Sequence, residues 1–174
     1  DIDPENPEEQ GKTLIYAVDD QHADLIVKIL KEIYTETGVD NDAIMKITGS
    51  VGGGNKKKIE EAIQRFKNER YPSIVVTVDL LTTGIDVPEI TTLVFMRRVK
   101  SRILFEQMLG RATRLCPEIH KTHFEIYDPV GVYDSLDEIN TMKPVVVNPT
   151  ATFTQLLEGL EVLTDEKEVQ NQIN

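Results

Sequence analysis

Short apolar runs alternate with amphipathic segments along the first 130 or so residues of this chain. Five runs rich in apolar and β-branched residues have the length of buried strands. Between them, apolar residues recur at helical spacing, as at Ile59, Ile63 and Phe66. The predicted strands are residues 13–18, 43–48, 73–78, 91–96 and 123–128. This alternation predicts an α/β fold, a doubly wound and mostly parallel sheet with helices on both faces.

Polar residues indicate where the helices begin. Asp19 or Asp20, Asn55 and Ser101 each precede a helical pattern, and their side chains are among those preferred at N-cap positions. The first helix is expected to pack through six apolar residues, Ala23, Ile26, Val27, Leu30, Ile33 and Tyr34.

The helix predicted after Ser101 would carry a polar stripe. Because an α-helix turns about 100° per residue, Gln107, Arg111 and Arg114 would lie on one side of it. Gly110 would let a ligand or another backbone approach closely. An adjoining apolar stripe would dock on the core through Leu104, Met108, Ala112 and Leu115. Two rigidly held guanidinium groups suit the oxygens of a triphosphate, although a solvated basic helix face would show the same pattern.

The third predicted strand ends in a polar loop. In open α/β sheets, ligands bind at the carboxyl ends of the strands. Gly84 would permit a positive φ in this loop, and Asp86 could accept hydrogen bonds from ribose hydroxyls. An ordinary connecting loop is the alternative interpretation of this segment.

Two segments, Thr-Thr-Gly-Ile-Asp-Val-Pro-Glu-Ile at 82–90 and Gln-Met-Leu-Gly-Arg-Ala-Thr-Arg at 107–114, resemble motifs V and VI of superfamily-two helicases and translocases. In that superfamily both motifs lie in the second RecA-like domain. Three segments, residues 12–18, 80–86 and 95–102, are most similar to the motor (R) subunit of type I restriction enzymes. The resemblance covers about residues 11–130. It implies an ATP-driven translocase on double-stranded DNA that also carries a nuclease in its complete form.

The resemblance also implies roles for particular residues. Arg114 is similar to the arginine finger, Arg111 to its companion on the γ-phosphate, and Gln107 to a residue that helps to sense nucleotide. The ATP-binding set would be Gly84, Asp86 and Gly110, and the contacts to the DNA backbone would be Thr48, Gly49 and Thr77. Met108 departs from the pattern, since many relatives have arginine there.

The implied cofactors are ATP and Mg²⁺, bound mainly by a first motor domain, and no metal site is expected in this chain. The implied partners are that upstream motor domain 1, a nuclease domain of the same chain, and the modification and specificity subunits of a complex. We expect this fragment to be inactive alone, because it lacks a Walker A lysine and has no Glu-x-Lys nuclease triplet.

Charge is distributed unevenly along the chain. The net charge of −11 argues against nonspecific binding of nucleic acid by the surface as a whole. Residues 97–114, however, contain six Lys or Arg and one acid, so positive charge gathers around the predicted phosphate site. The single Cys116 excludes an internal disulfide, and no apolar run is long enough for a membrane span. These features favour a cytoplasmic protein that does not bind membranes.

The chain divides into three parts on composition. Residues 1–10 are predicted to be an exposed acidic linker, residues 11–130 a RecA-like motor domain 2, and residues 131–174 a partly irregular C-terminal extension that leads into a following helical domain. Within this extension, a helix is predicted at about 151–163.

Other interpretations need different residues. The run 49–56 is glycine-rich and lies between a strand and a helix, but Asn55 stands where a P-loop has its lysine. Asp19, Asp20 and Asp79 could form the acidic pocket of a receiver-like domain, and a Rossmann-like binding module is a further alternative. The nearest alternative is the C-terminal motor domain of another superfamily-two DNA helicase.

Overall fold

Five parallel strands form one sheet in the order β2-β3-β1-β4-β5, as seen in a computed structural model that describes residues 3–78, 86–99 and 101–132. All of these residues fall within the first of two units into which the chain divides, Asp1–Ile139. The strands are β1 (Lys12–Tyr16), β2 (Ile44–Lys46), β3 (Ile74–Thr77), β4 (Ile90–Phe95) and β5 (Glu125–Tyr127). The helices are α1 (Pro7–Gln10), α2 (Asp20–Thr35), α3 (Lys56–Asn68) and α4 (Arg102–Leu109), with short 3-10 helices at Asn41–Ala43, Val51–Gly53 and Pro117–Ile119.

The first strand in sequence lies at the centre of the sheet. Leu14 of β1 pairs with Val75 of β3 on one side and with Leu93 of β4 on the other. The outer pairs, β2 with β3 and β4 with β5, are parallel as well. Each predicted strand is therefore present, and the predicted parallel α/β sheet is confirmed.

Helices cover both faces of the sheet, as predicted. Leu14 and Tyr16 belong to a core that includes α3 and α4, whereas the alternate residues Ile15 and Ala17 pack in a second core with α2. This division follows from the two-residue period of a strand, which sends successive side chains to opposite faces. On the α4 side, Tyr16 stacks on Phe95 with ring centroids 5.3 Å apart, and such a pair contributes about 1 kcal/mol beyond its buried area.

Helix α2 begins as predicted but buries fewer residues than expected. Asp19 is its N-cap, and the carboxylate accepts a hydrogen bond from the backbone N–H of His22 at 2.8 Å. The prediction that Ile33 packs on the core is wrong, since Ile33 is 55% exposed. It lies on one face with Leu25 and Ile29, which are also exposed, because α2 covers the sheet through the neighbouring face that carries Ala23 and Ile26.

The other large helix, α3, is held at both ends. Asn55 is its N-cap, as predicted, and accepts from the backbone N–H of Lys57 at 3.0 Å. At the opposite end, the buried ammonium of Lys12 donates to the backbone carbonyl oxygens of Phe66 and Glu69. Burial lowers the pKa of Lys12, although nearby Glu89 and other carboxylates oppose that shift. The cation replaces the partners that the last carbonyls of a helix lack.

Residues 3–10 pack against the sheet rather than extending into solvent. Pro4 and Pro7 are buried, and the hydroxyl of Ser73 donates to the backbone oxygen of Pro4 at 2.8 Å. The expectation of an exposed segment is therefore wrong for these two prolines. The prediction of exposure rested on the acidic side chains of this segment, and Glu8 and Glu9 are indeed exposed.

Several predictions fall on residues outside the described ranges. They include Gly84 with the preceding loop and the helix predicted at about 151–163. Within the described ranges, none of the helices has both the length and the apolar character that a membrane crossing requires.

Candidate functional site

The two segments that carry the predicted nucleotide contacts lie side by side. Arg114 and Asp86 form an ion pair, with their side chains 58% and 38% exposed. Asp86 comes from the segment before β4, and Arg114 follows α4, so the pair joins regions that are remote in sequence. Because exposed ion pairs contribute less than about 1 kcal/mol, a more highly charged anion can compete with Asp86 for this guanidinium.

Helix α4 ends before either arginine. Ser101 caps it as predicted, accepting from the N–H of Leu104 at 3.3 Å, but the helix stops at Leu109. Arg111 and Arg114 therefore lie on the irregular chain beyond the helix, and the prediction that they share a helical stripe with Gln107 is wrong. Gln107 is exposed on α4, and Arg111 is half-buried. The side chain of Arg114 is more than half exposed.

Buried donors from other elements hold the carbonyls at the end of α4. The Tyr16 hydroxyl donates to the oxygen of Met108 at 3.3 Å, and the Lys121 ammonium donates to the oxygen of Ala112 at 2.8 Å. Since these carbonyls are bound from outside, continuation of the helix is not needed to satisfy them. Met108 and Ala112 are buried as expected, whereas Leu115 is 74% exposed and does not dock.

Lys121 joins the same two segments from a buried position. Its Nζ donates to the backbone oxygens of Pro88 at 2.9 Å, Ile90 at 2.5 Å and Ala112 at 2.8 Å. Only 8% of the residue is exposed, and this burial lowers its pKa. Sequence reasoning missed Lys121, because its acceptors are distant along the chain and no local pattern distinguishes it from a surface lysine.

Gly110 has an ordinary helical backbone conformation, with φ −55° and ψ −15°. A Cβ at this position would lie 3.3 Å from the carbonyl oxygen of Glu106. The missing side chain thus allows a close approach to the preceding helical turn. Contact between Gly110 and a nucleotide stays a prediction.

A second group of predicted residues lies at the carboxyl ends of β2 and β3. Thr48 is buried, and its hydroxyl donates to Asp20 at 2.5 Å. The hydroxyl of Ser50 donates to the same carboxylate at 2.6 Å, and the Lys46 ammonium binds both Asp20 at 2.9 Å and Asp24 at 2.6 Å. The hydrogen bonds from Ser50, Thr48 and Lys46 lower the pKa of Asp20 to about 2. Sequence reasoning identified Thr48 but missed this carboxylate network.

The other two predicted DNA contacts differ in exposure. Gly49 is exposed at the start of the loop that follows β2. Thr77, the last residue of β3, is fully buried, and its hydroxyl has no hydrogen-bond partner among the residues that the structure describes. Next to it, Arg97 reaches across from the end of β4 and donates to the backbone oxygen of Val78 at 2.9 Å.

The receiver-like alternative loses two of its three carboxylates to other roles. Asp19 caps α2, and Asp20 is bound by Lys46, Thr48 and Ser50. The third, Asp79, lies outside the described residues. Over the described ranges, His, Cys, Asp and Glu side chains form no cluster that could hold a metal ion.

Comparison with known proteins gives consistent results for most of the chain. Residues 3–116 match the family described as the helicase conserved C-terminal domain. Over 157 residues, the chain is 48% identical to the type I restriction enzyme EcoKI endonuclease subunit of Escherichia coli K12. That alignment covers 89% of this chain but only 13% of the endonuclease subunit, so the chain corresponds to a small part of that relative.

Two solved structures share the fold. A fragment described as an HsdR subunit of a type I restriction enzyme from Vibrio vulnificus YJ016 is 30% identical, with a TM-score of 0.62, and the match covers 79% of this chain and 26% of that one. Domain 2 of the DEAD-box helicase Mss116p is 18% identical, with a TM-score of 0.60, and the match covers 97% of this chain and 63% of that one. The predicted RecA-like fold is confirmed by these similarities.

Proposed function

This chain belongs to the helicase conserved C-terminal domain family, and on that premise we propose that it is the second motor domain of the DNA translocase subunit of a type I restriction endonuclease. The similarity to the EcoKI endonuclease subunit supports this choice over other helicases of the superfamily. The whole subunit would be an ATP-dependent hydrolase, of which this chain forms one side of the ATP site.

The ion pair between Arg114 and Asp86 is the observation that carries the proposal. It brings the segment that resembles motif V against the segment that resembles motif VI, although β4 and α4 lie between Asp86 and Arg114 in sequence. A guanidinium that is more than half exposed and held by a surface carboxylate can move to a new anionic partner at little cost.

The residues present fit one part of an ATP site. Arg111 and Arg114 offer fixed positive charge and planar donors for phosphate oxygens, and Asp86 offers acceptors for ribose hydroxyls. Neither a Walker A lysine nor a Mg²⁺-binding set of acids is found among the described residues. The triphosphate and its Mg²⁺ would therefore be held mainly by motor domain 1. The triphosphate would supply the phosphoryl group that is transferred to water, and Mg²⁺ would neutralise charge on the phosphate oxygens.

In this arrangement Arg114 acts as an electrostatic switch between two partners. In the structure, its guanidinium is paired with the carboxylate of Asp86. When the two motor domains close, Arg114 would turn to the γ-phosphate with Arg111 beside it, and both would stabilise the charge of the transition state. Gln107 would sense the nucleotide from α4, and reopening after hydrolysis would shift the domain along DNA.

We assign the DNA-backbone contacts to Thr48, Gly49 and Thr77 as a group. The exposed position of Gly49 supports a contact between its amide and a phosphate without rearrangement. Thr48 and Thr77 are buried, so each would reach DNA only after a local movement of the neighbouring chain. The modification and specificity subunits, the nuclease domain and double-stranded DNA complete the assembly that this proposal requires.

Replacing Arg114 by lysine in the intact subunit tests the proposal. Lysine keeps the charge but loses the planar fork, so the rate of ATP hydrolysis should fall by about 10³. The melting temperature should change little, because Arg114 contributes only an exposed ion pair. The measurement is steady-state ATPase activity in the presence of DNA.

Arg65→Lys is the matched control, since Arg65 also forms an exposed ion pair, with Glu69 on α3, at 3.2 Å. Its kcat should equal that of the unaltered subunit. If Arg114→Lys keeps full ATPase activity, the assigned role of the arginine is refuted.

A further inference from the structure

Lys121 reaches its buried position through a tight reversal of the chain. Residues Pro117–Ile119 form one 3-10 turn, and His120 follows in the left-handed region with φ 52°. The backbone N–H of Lys121 then donates to the oxygen of Cys116 at 3.0 Å, which closes the reversal. A non-glycine residue with positive φ costs energy, so the surrounding structure must favour this conformation.

The side chain of Lys121 then fastens the two site segments together. Pro88 and Ile90 belong to the segment that begins at Asp86, and Ala112 belongs to the segment that ends at Arg114. All three of their carbonyl oxygens accept from one Nζ, at 2.9, 2.5 and 2.8 Å. An ammonium has three donor hydrogens, so these acceptors use its full capacity. Charge-assisted bonds in a buried place are stronger than neutral ones and are screened much less by the surrounding solution.

The segments are thus joined in two ways that respond differently to an incoming phosphate. The exposed ion pair between Arg114 and Asp86 can open when an anion competes for the guanidinium. The Lys121 bonds involve backbone oxygens in a buried place, so an anion in solvent does not reach them. After Arg114 changes partner, Lys121 would still hold the spacing of the two segments.

We propose that Lys121 is a positioning residue for ATP hydrolysis, which holds the Arg111–Arg114 segment in register with the Asp86–Ile90 segment so that Arg114 can exchange Asp86 for phosphate without the segments separating. This inference rests on the proposed function, because it depends on the roles proposed there for the two arginines. It gives Lys121 no contact with nucleotide or DNA. Lys121 would influence the rate of ATP hydrolysis only by positioning Arg111 and Arg114.

Lys121→Met in the intact subunit tests the inference, with Lys12→Met as the matched control. Both lysines are buried, and both donate to backbone carbonyl oxygens, but the acceptors of Lys12 Nζ are Phe66 and Glu69 at the end of α3. Each variant removes one buried ammonium, so both should lower the melting temperature. Only Lys121→Met should also lower kcat, by roughly tenfold to a hundredfold, because misplacement of a catalytic group by about 1 Å has effects of that size.

The division between kcat and KM provides the second readout. A positioning role predicts a loss of kcat with the KM for ATP nearly unchanged, since the arginines act mainly in the transition state. In an Arg114→Lys background, the further loss caused by Lys121→Met should largely disappear, because residues that act as a unit are not additive. A purely structural role would instead give the same fold-loss in both backgrounds.

The results distinguish a failure of the inference about Lys121 from a failure of the proposed function. If Lys121→Met has the kcat of Lys12→Met, or if its effect persists unchanged in the Arg114→Lys background, the inference about Lys121 is overturned and the proposed function stands. If Arg114→Lys itself retains full activity, both are overturned. If Lys121→Met does not fold while Lys12→Met does, Lys121→Gln replaces it. The glutamine amide keeps a donor, and the same comparison then decides.

Discussion

Asp20 organises the loop that follows β2 through three donors. Hydroxyls of Thr48 and Ser50 and the ammonium of Lys46 all reach its carboxylate. Only the ionised form accepts all of these bonds, which is why the pKa of Asp20 is held at about 2. The position of Gly49, between the two hydroxyl residues, therefore depends on the charge of this one side chain.

Acid should remove this stabilisation. The folded-state pKa of Asp20 lies below the value of about 3.9 for an unfolded chain, so its contribution is complete above about pH 4 and is lost as the pH falls towards 2. We expect the melting temperature of Asp20→Asn to lie below that of the unaltered chain at neutral pH and the two to converge across this window. Thermal unfolding followed by circular dichroism at stepped pH measures it.

Glu60→Gln is the control for that experiment, since Glu60 is an exposed carboxylate on α3. Its melting curve should run parallel to that of the unaltered chain over the same pH range. A constant difference between Asp20→Asn and the unaltered chain down to pH 2 would contradict the role given to Asp20.

Residues whose partners are close in sequence could be predicted. Asn55 and Ser101 cap helices through N–H groups two or three positions ahead, so the local pattern contained the whole interaction. Lys121 and Lys12 could not be predicted, because lysine is usually exposed and their carbonyl acceptors come from other elements. The ion pair of Arg114 with Asp86 likewise depends on the folded chain.

At the scale of elements, the periodicity predicted α4 but placed its end too late. Apolar residues at Met108 and Ala112 continue the helical spacing, and both are buried. The helix nevertheless stops at Leu109, where donors from Tyr16 and Lys121 bind the carbonyl oxygens of Met108 and Ala112 on either side of that end. Tertiary donors thus decided a boundary that local sequence could not indicate.

Gly11 joins α1 to the central strand in a conformation that only glycine adopts readily. Its φ is 79° and its ψ is −165°, and a Cβ there would lie 2.4 Å from Cγ2 of Thr91 and 2.6 Å from the oxygen of Glu89. We expect Gly11→Ala to lower the free energy of unfolding by about 3 kcal/mol or more, the sum of backbone strain and overpacking. Urea denaturation measures this change.

Gly38→Ala separates these two causes. Gly38 also has a positive φ, of 80°, but no atom lies within 4 Å of its added Cβ. Its cost should be only about 1 kcal/mol, the penalty of a left-handed conformation. Equal losses in the two variants would show that the contact with Thr91 and Glu89 is unimportant.

At the scale of the whole molecule, topology followed from the alternation of strands and helices. The sequence predicted five strands and helices on both faces because parallel neighbours need helical crossovers. The order of strands in the sheet needed the structure, since apolar runs of similar composition do not identify their neighbours. The proposed function likewise needs parts of a longer subunit to complete the site, and this chain spans 13% of the endonuclease subunit that it resembles.

The isolated chain should neither hydrolyse ATP nor bind DNA tightly. In the proposed function it supplies arginines for the transition state, but it has no Walker A lysine, and its net charge is −11. We expect no ATPase activity above background and weak DNA binding that falls steeply between about 50 and 200 mM salt. Fluorescence anisotropy with labelled duplex measures the latter, and tight binding that salt does not weaken would contradict the proposed phosphate contacts.

The central place of β1 constrains the order of events during synthesis on the ribosome. Leu14 is translated before both of its neighbours in the sheet, Val75 and Leu93, which follow 61 and 79 residues later. Until Val75 and Leu93 leave the exit tunnel, both edges of β1 lack a paired strand, and its apolar side chains have no sheet in which to be buried. Such long-range pairing forms slowly and leaves an aggregation-prone intermediate. We therefore expect the growing polypeptide to need chaperone protection until about the end of β4 has been synthesised.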